Sequence, residues 1–501
     1  MGQGTDLLGP HRQMGVEMAT TRAPGILMTA LMLVVAACGG STADTTDTSS
    51  AAAQSTTTTS VTSTSAAATT TIASPATTAP TCAPTEGAPD SPGEWGSYGF
   101  DDSNSRHNSF ETHLGPGNVA CLEELWSITD IANVTGTPVV IDEIVYFADW
   151  EGWLHSVEAQ TGSVVWEAQV AESSISATVL VTEDRIYVPD VDGFLHARDR
   201  DTGSAVWSVD VNDQPGALIA APVLVDGMVI LGVSGDSPFS TAYRGSVVAV
   251  DAATGAERWR VEMTDENTGP GVGVWTAGAV DRDLGLVFFG TGNTMRSPVS
   301  PLSDALVAID YETGELAWAN QLNPDDRSNQ DIGASPNLFS IDGRDVVGVG
   351  AKNGLFKVVD RETGDEVWSV TLTSGGDPGG VMNTAAVSNG VVYVAANPSD
   401  SPGSITFALD GSDGSTLWEQ PIPNAAFGSL TVANGIVYQG TVSGTIYALD
   451  AGDGSVLWSD ELPNDFGDGI SVAGGMLFVG YGLNYGWLPS PTGGIVAYSL
   501  P

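Results

Sequence analysis

Basic residues are scarce in this chain of 501 residues. Lysine and arginine together number 16, against 61 aspartates and glutamates, which gives a formal net charge of -45. A surface of this sign repels phosphate backbones and anionic lipid headgroups, so we expect no nucleic-acid partner. Only two residues are lysines, Lys352 and Lys357.

Cysteine and histidine are also rare, and several kinds of site are missing from the sequence. The chain has three cysteines and no Cys-x-x-Cys-His sequence that would attach haem. It has no Ser/His/Asp set, zinc-ligand spacing or phosphate loop, and its five histidines are not grouped like metal ligands. The folded region shows no convincing amphipathic helix, which favours a core built from strands.

The N-terminal region has the composition of an export signal followed by a tether. Residues 26–38 are apolar and follow Arg22, but they are too few to span a membrane as a helix. The end of this stretch, Val35-Ala36-Ala37-Cys38, resembles the bacterial lipobox, although an ordinary secretory signal remains the alternative. We predict a lipoprotein signal peptide over residues 1–38, lipidation of Cys38 and anchoring at the outer face of the cell membrane. Residues 39–93 are rich in Ser, Thr, Ala and Pro and are predicted to be a disordered tether.

Export would place the other two cysteines, Cys82 and Cys121, in an oxidising compartment. A disulfide between them would attach the end of the tether to the folded domain. The alternative is two unpaired thiols. We predict the disulfide.

One sequence pattern recurs seven times within residues 160–458. Its clearest copy is residues 247–259, where a small residue, an Asp, a Thr-Gly turn and a Trp follow one another. A period of roughly 40 to 50 residues, made of short β-branched and aromatic runs, is typical of a β-propeller. The seven tryptophans are Trp166, Trp207, Trp259, Trp318, Trp368, Trp418 and Trp458.

The two ends of the repeat array complement each other. The last repeat stops at Pro501 without its Trp strand, whereas residues 122–126 form an unmatched Trp strand, 40 residues before Trp166. The N-terminal strand would therefore complete the last blade and close the ring. The sequence predicts an all-β fold over residues 94–501, an eight-bladed β-propeller of four-stranded antiparallel blades.

The recurring residues have structural roles in such a fold. Each Trp would fill the space between neighbouring blades, beside the small residue that precedes each Asp. Aspartates such as Asp251, Asp310 and Asp450 would cap the turns. His155 and His196 lie at equivalent positions of adjacent repeats and are interpreted as a consequence of the repetition.

The pattern Ala-x-Asp-x-x-Thr-Gly-x-x-x-Trp resembles the repeat of pyrroloquinoline quinone (PQQ) enzymes. That eight-bladed fold is shared by quinoprotein alcohol dehydrogenases and by a non-catalytic lipoprotein scaffold of outer-membrane assembly. The repeats between Trp207 and Trp418 are longer than the others and contain segments similar to the polyvinyl alcohol dehydrogenase branch, in that branch's order. These segments are residues 243–248, 273–275, 288–293, 331–336 and 351–354.

The resemblance implies a cofactor site. Trp275 would be the floor on which the flat PQQ stacks, and Lys352 would contact its quinone oxygens. Arg244 would pair with a carboxylate of the cofactor, or it would be an ordinary surface arginine. The alternative for Lys352 is likewise a surface lysine that falls at this position by chance.

The resemblance also implies a calcium ion and a general base. Oxygen atoms of Asn293, Asp236 and Asp331 would bind Ca²⁺, and Asp331 would accept the proton of the substrate hydroxyl. Some family features are missing. Ser240-Thr241-Ala242 replaces the vicinal cysteines of many members, and the expected metal-binding Glu near Gly235 is absent. Where many dehydrogenases have a further Asp, this chain has Asn329.

Two hypotheses from different classes follow. The first is an extracytoplasmic quinoprotein-type dehydrogenase that oxidises a small or polymeric alcohol with PQQ and Ca²⁺ and passes electrons to an acceptor protein. The second is a non-catalytic propeller lipoprotein that binds an envelope protein as a scaffold. The first hypothesis requires Trp275, Asn293, Asp331 and Lys352 to converge at the ring axis.

Overall fold

Eight antiparallel sheets, one for each blade, follow one another along the chain. The computed structural model describes Cys82 and residues 94–212, 216–235, 243–324, 329–376, 378–483 and 493–501. A 3-10 turn, Val119–Cys121, is the only helical element among these residues. This part of the chain contains no helix with the length and hydropathy needed to cross a bilayer. The predicted signal peptide, its Cys38 and the tether, apart from Cys82, lie outside the described residues.

Each blade has four strands, numbered here from the axis outward. Blade one is Val139–Ile141, Ile144–Ala148, Trp153–Glu158 and Val164–Gln169; blade two is Leu180–Val181, Arg185–Pro189, Phe194–Asp199 and Ala205–Asp210. Blade three is Val223–Val225, Met228–Val233, Ser246–Asp251 and Glu257–Glu262; blade four is Ala279–Asp281, Leu286–Gly290, Ala305–Asp310 and Leu316–Gln321.

The second half of the ring repeats the same order. Blade five is Asn337–Ile341, Arg344–Gly350, Leu355–Asp360 and Glu366–Thr371; blade six is Ala386–Ser388, Val391–Ala396, Ser404–Asp410 and Thr416–Ile422. Blade seven is Thr431–Ala433, Ile436–Gly440, Thr445–Asp450 and Val456–Glu461; blade eight is Phe466–Ala473, Met476–Tyr481, Gly493–Ser499 and, from the N-terminal side, Glu123–Ile131.

The composition of blade eight confirms the predicted closure of the ring. Its outermost strand is Glu123–Ile131, which pairs antiparallel with Gly493–Ser499, the last strand of the chain. Trp126 lies opposite Ala497, as Trp259 lies opposite Ala249 in blade three. The ring therefore has no open edge between its first and last repeats.

Trp126 and every recurring Trp except Trp458 pack against a glycine of the next blade. Trp259 donates its indole N–H to the carbonyl of Tyr311 at 2.9 Å, and a Cβ added to Gly314 would lie 2.9 Å from the Trp259 ring. Gly314 also has a φ of 75°, so the Thr-Gly turn needs glycine both for its backbone conformation and for this close approach. The other pairs are Trp126 with Gly162, Trp166 with Gly203, Trp207 with Gly255, Trp318 with Gly364, Trp368 with Gly414 and Trp418 with Gly454.

Truncating one of these tryptophans should destabilise the ring. Trp368 is 8% exposed and donates to the carbonyl of Gly411 at 2.9 Å. Trp368→Ala should lower the free energy of unfolding by about 3–5 kcal/mol, because it removes a large buried side chain and leaves a cavity. Leu417→Ala is a matched control, since Leu417 lies beside Trp418 on an outer strand but is 53% exposed. Urea unfolding curves that shift equally for both variants would contradict this interblade role.

The turn aspartates and the two histidines have the structural roles predicted for them. Asp251 Oδ1 accepts the backbone N–H of Thr254 at 2.9 Å, and the aspartates of the other repeats cap their turns in the same way. His155 Nε2 lies 3.1 Å from Asp149 Oδ2, and His196 Nε2 lies 3.0 Å from Asp190 Oδ2. The same Asp–His contact thus occurs at the same place in blades one and two.

Residues 94–108, here called the axial segment, run along the first strands inside the ring. Trp95 pairs with Val140 of blade one, and His107–Asn108 pairs parallel with the first strand of blade seven. Between them, backbone carbonyls accept hydrogen bonds from blades four, five and six. The Tyr98 hydroxyl lies 2.7 Å from Thr384 Oγ1 and 2.9 Å from Ser429 Oγ. The axial segment therefore links blades that are not neighbours in the ring.

Candidate active site

The predicted site residues lie on one face of the ring because of the antiparallel topology. In each blade, the loop between the second and third strands and the connection to the next blade emerge on the same side. In blade four the loop is residues 291–304, and the connection into that blade is residues 263–278. We call this side the entry face. Asn293, Lys352, Trp275 and Asp331 all belong to loops or connections of the entry face.

One backbone pairing recurs on the entry face of all eight blades. A residue just after the second strand is hydrogen-bonded through its backbone to a residue of the incoming connection, as Val191 is to Ser174 at 3.1 Å. We call these the loop pairs. Within the described ranges they are Asn133/Trp150, Ser174/Val191, Ala217/Ser234, Gly273/Gly292, Asp331/Lys352, Gly380/Asn397, Ala425/Val442 and Asp465/Gly482.

Blade five has the only loop pair in which both residues are charged. The side chains of Asp331 and Lys352 are 9% and 8% exposed, and Lys352 Nζ lies 2.9 Å from Asp331 Oδ2. The other seven pairs make the same backbone contact without an ion pair, so the fold does not require one here. Burying an ion pair is also a poor way to gain stability, because desolvation offsets the attraction. The charges of blade five therefore point to chemistry rather than to folding.

Trp275 and Asn293 join this ion pair from blade four. Lys352 Nζ lies 5.3 Å from the centre of the Trp275 ring, and the backbone N–H of Asn293 donates to Asp331 Oδ1 at 2.8 Å. Trp275 is half-buried, and a Cβ added to Gly333 would lie 2.8 Å from its ring, so a glycine makes room for the indole. The four residues that the enzyme hypothesis requires to meet, Trp275, Asn293, Asp331 and Lys352, therefore lie in one cluster.

Asn329 and the side chain of Asn293 complete this cluster. Asn329 Oδ1 accepts a hydrogen bond from Lys352 Nζ at 3.3 Å, and Asn329 adopts a φ of 61°. Asn293 is 5% exposed, and its side-chain amide makes no hydrogen bond to another residue of the described part. The amide atoms are not sealed from solvent, so they are available to bind a ligand.

Tyr243 and Ser234 are close to the same carboxylate and were not found from the sequence as site residues. Tyr243 is 6% exposed, and its hydroxyl and Ser234 Oγ both border Gly273, where an added Cβ would lie 3.1 Å and 2.3 Å from them. Burial, together with the nearby charge of Asp331, raises the pKa of the Tyr243 phenol to about 12. Because that pKa is raised, the phenol keeps its proton at neutral pH. No sequence spacing points to them, because their place beside Gly273 appears only in the folded ring.

Two further residues of the predicted site are not brought into the cluster by any described contact. The guanidinium of Arg244 donates to Thr264 Oγ1 at 2.7 Å and to the carbonyl of Asp265 at 3.0 Å, which lie after the outermost strand of blade three. The predicted metal ligand Asp236 lies outside the described residues, as does Ser240-Thr241-Ala242. No group of three or more His, Cys, Asp or Glu residues in the described part could hold a metal ion.

Cys82 and Cys121 form a disulfide in the structure, with their Cα atoms 5.4 Å apart. Cys121 ends the 3-10 turn and lies just before the closing strand Glu123–Ile131. The bond therefore joins the region predicted to be a tether directly to blade eight.

Matches to known protein families include the two blades that carry the cluster, blades four and five. Residues 95–374 match the β-propeller domain model of glucose, ethanol and alcohol dehydrogenases. The chain belongs to this PQQ dehydrogenase family. The match covers the axial segment, the first five blades and all the residues of the cluster. Residues 352–481 also match the model of the outer-membrane assembly factor BamB.

Relatives within the family include two polyvinyl alcohol dehydrogenases. The one from a Pseudomonas species is 25% identical over 70% of this chain and 65% of its own length. The one from a Sphingopyxis strain is 23% identical over 68% of this chain and 61% of its own length. A quinohemoprotein alcohol dehydrogenase of Pseudomonas putida is 28% identical over 55% of this chain. The chain spans less than two thirds of the length of these relatives.

Solved structures share the fold. The quinohemoprotein alcohol dehydrogenase of Comamonas testosteroni superposes with a TM-score of 0.72 at 21% identity, over 82% of this chain and 81% of its own. BamB of Moraxella catarrhalis superposes with a TM-score of 0.55 at 16% identity, over 75% of this chain and 97% of its own. At these identities the likeness concerns the architecture alone, which enzymes and scaffolds both use.

Proposed function

We propose that this chain is an extracytoplasmic PQQ-dependent dehydrogenase that oxidises an alcohol at the cluster of blades four and five. The observation that carries the proposal is the Asp331/Lys352 loop pair. It is a buried ion pair where seven equivalent pairs have none, and it lies against an aromatic ring and a free amide. Membership of the dehydrogenase family supports the same conclusion.

The cluster is chemically suited to a flat, anionic quinone. Trp275 offers an aromatic face, and the Lys352 ammonium lies within 5.3 Å of the ring centre. An indole favours stacking with a planar conjugated ring, and a cation near its face attracts the negative oxygens of a quinone. PQQ would supply the two-electron acceptor for the α-hydrogen of the alcohol, which no side chain can provide.

Asp331 is the residue placed to take the hydroxyl proton of the substrate. One of its oxygens faces the Asn293 N–H and the other faces Lys352 Nζ, which fixes the orientation of the carboxylate. A carboxylate oriented in this way can accept a proton as a general base. Lys352 balances the negative charge of Asp331 before that transfer.

A calcium ion fits this site only with ligands from outside the described residues. Asn293 and Asp331 supply two oxygen side chains, whereas Ca²⁺ takes six to eight oxygen ligands. The rest would have to come from the cofactor, from water or from Asp236. We propose Asn293 and Asp331 as the ligands from the described part of the chain.

Reconstitution of the purified protein tests the proposal. Protein expressed without cofactor should bind PQQ in the presence of Ca²⁺, measured by quenching of tryptophan fluorescence. The loaded protein should then reduce an artificial dye when given ethanol or polyvinyl alcohol. Failure to bind PQQ at micromolar concentrations, with or without Ca²⁺, would refute the enzyme hypothesis.

The alternative function is a non-catalytic scaffold for an envelope protein. It is favoured by the match of residues 352–481 to the BamB model, which begins within blade five and ends within blade eight. Two observations weigh against it. The dehydrogenase model covers both members of the charged loop pair, whereas the BamB model covers Lys352 and not Asp331, and the dehydrogenase match is the longer of the two. The scaffold function gives no physical reason for a buried ion pair beside an aromatic ring.

We also propose export and lipid anchoring. The lipobox-like sequence ending at Cys38 and the disulfide between Cys82 and Cys121 support it, because disulfides persist in oxidising compartments. Metabolic labelling with a radioactive fatty acid, with Cys38→Ser as the control, would test the anchor. The electron acceptor would then be another protein of the envelope.

A further inference from the structure

Two hydroxyl groups lie across a narrow strip of backbone from Asp331. The strip is the loop pair of blade four, Gly273 and Gly292, whose backbones are joined by a hydrogen bond of 2.8 Å. A Cβ added to Gly273 would collide with Ser234 Oγ and lie 3.1 Å from the Tyr243 hydroxyl. A Cβ added to Gly292 would lie 3.4 Å from Asp331 Oδ1. No side chain of this pair therefore separates the hydroxyls from the carboxylate.

Tyr243 carries a proton that it can donate. Its hydroxyl lies close to Ser234 Oγ, since a Cβ added to Gly273 would meet both oxygens. A neutral phenol can accept hydrogen bonds through its oxygen and donate one through its O–H. The O–H is therefore available to an acceptor that binds beside the strip.

We propose that Tyr243 donates a hydrogen bond to the hydroxyl oxygen of the alcohol whose proton Asp331 accepts, with Ser234 holding the phenol in position. This inference rests on the proposed function and adds a catalytic residue to it. Tyr243 is not among the residues that the family resemblance assigns.

The chemistry of alcohol oxidation explains the use of such a donor. The O–H and α-C–H bonds of the alcohol break and a C=O bond forms. The proton passes to Asp331, and the α-hydrogen leaves with two electrons to the bound quinone. The alcohol oxygen carries growing negative charge while its proton leaves, so a donor fixed beside it stabilises the transition state. Only two side chains in the described part of the chain are proposed as metal ligands. A further group that stabilises negative charge on the alcohol oxygen is therefore useful.

Tyr243→Phe tests this role because it removes one hydroxyl and keeps the ring. In PQQ-loaded protein, kcat/KM for ethanol should fall about 100-fold, while the dissociation constant for PQQ stays within twofold of that of the unmodified protein. A second readout needs no turnover. 2-Methyl-2-propanol has a hydroxyl but no α-hydrogen, so it binds without being oxidised, and its binding should weaken about 2- to 10-fold.

Two further variants separate a local role from a general loss of stability. Tyr187→Phe removes another buried hydroxyl, which donates at 3.0 Å to the carbonyl of Ala252 in the turn between the third and fourth strands of blade three. This turn is opposite the entry face, so the variant should leave every constant unchanged. Gly292→Ala should fold, since its nearest contacts would be 3.3 Å and 3.4 Å. The added methyl group would occupy the space beside the strip. Gly292→Ala should therefore weaken binding of 2-methyl-2-propanol more than binding of PQQ.

The outcomes distinguish this inference from the proposed function. If the unmodified protein neither binds PQQ nor oxidises an alcohol, the proposed function fails and the role of Tyr243 fails with it. If the unmodified protein is active and Tyr243→Phe keeps both its kcat/KM and its affinity for 2-methyl-2-propanol, only the role of Tyr243 is overturned. A parallel loss in Tyr243→Phe and Tyr187→Phe would also overturn it.

Discussion

Asp331→Asn should lower kcat for alcohol oxidation by about 10²- to 10⁴-fold, the contribution expected of a general base. Asparagine has nearly the same shape as aspartate. Its amide oxygen can still accept either from the Asn293 N–H or from Lys352 Nζ, which lie 2.8 Å and 2.9 Å from the carboxylate. A neutral amide cannot take up the hydroxyl proton, so the loss should appear in kcat with little change in PQQ affinity. Steady-state rates with a dye acceptor measure it.

The loop pair of blade eight provides the control for this variant. Asp465 occupies there the position that Asp331 has in blade five, but its partner is Gly482 and it has no lysine beside it in the pair. Asp465→Asn should therefore keep kcat within about twofold, as is usual for changes away from the chemistry. An equal fall in both variants would mean that the carboxylates act through the fold, and the assignment of Asp331 as the base would be wrong.

Lys352→Ala should lower kcat/KM by about 10²- to 10³-fold and weaken binding of PQQ as well. The substitution removes the ammonium beside the Trp275 ring and leaves Asp331 with a buried, uncompensated charge. A buried charge without a partner is costly, and the carboxylate would also lose the contact that fixes its orientation. Fluorescence titration with PQQ and steady-state kinetics measure the two effects separately.

The second lysine of the chain is a matched control. Lys357 lies in the third strand of the same blade, where its Nζ is 3.1 Å from Glu366 Oε2, a carboxylate of the outermost strand. Solvent reaches this pair on the Glu366 side, where 49% of the side chain is exposed, so the pair should contribute little to stability. Lys357→Ala should therefore leave PQQ affinity and turnover unchanged. Should Lys352→Ala behave like Lys357→Ala, Lys352 is a structural residue and the cofactor site must be elsewhere.

The fold could be predicted from the sequence because its rules are local and repeated. Trp126, unmatched at one end of the array, predicted the closing strand that pairs with Gly493–Ser499. The same repetition did not reveal what the turn glycines do. Gly314 is required by its own φ of 75°, but its contact with Trp259 of the preceding blade becomes visible only when the blades are assembled.

The sequence identified part of the candidate site, and there is a physical reason why it did not identify the other residues. Asp331, Lys352, Trp275 and Asn293 are carried by motifs whose order along the chain could be recognised. Tyr243 was overlooked because its relevance depends on the backbone of Gly273 and on the charge of Asp331, residues distant in sequence. The axial segment is a similar case, since Tyr98 contacts Thr384 across 286 positions and Ser429 across 331. No spacing or periodicity encodes such contacts.

The disulfide determines how the protein would carry a mechanical load. A pull applied to the chain before Cys82 passes through the sulfur bridge to Cys121, because the bridge is covalent and closes a loop across 39 positions. The axial segment, residues 94–108, lies within that closed loop and is shielded from the force. The load falls instead on Glu123–Ile131, which is held along its length by Gly493–Ser499. Pulling therefore acts first on the pairing of these two strands, while the intact bridge keeps the axial segment out of the path of the force.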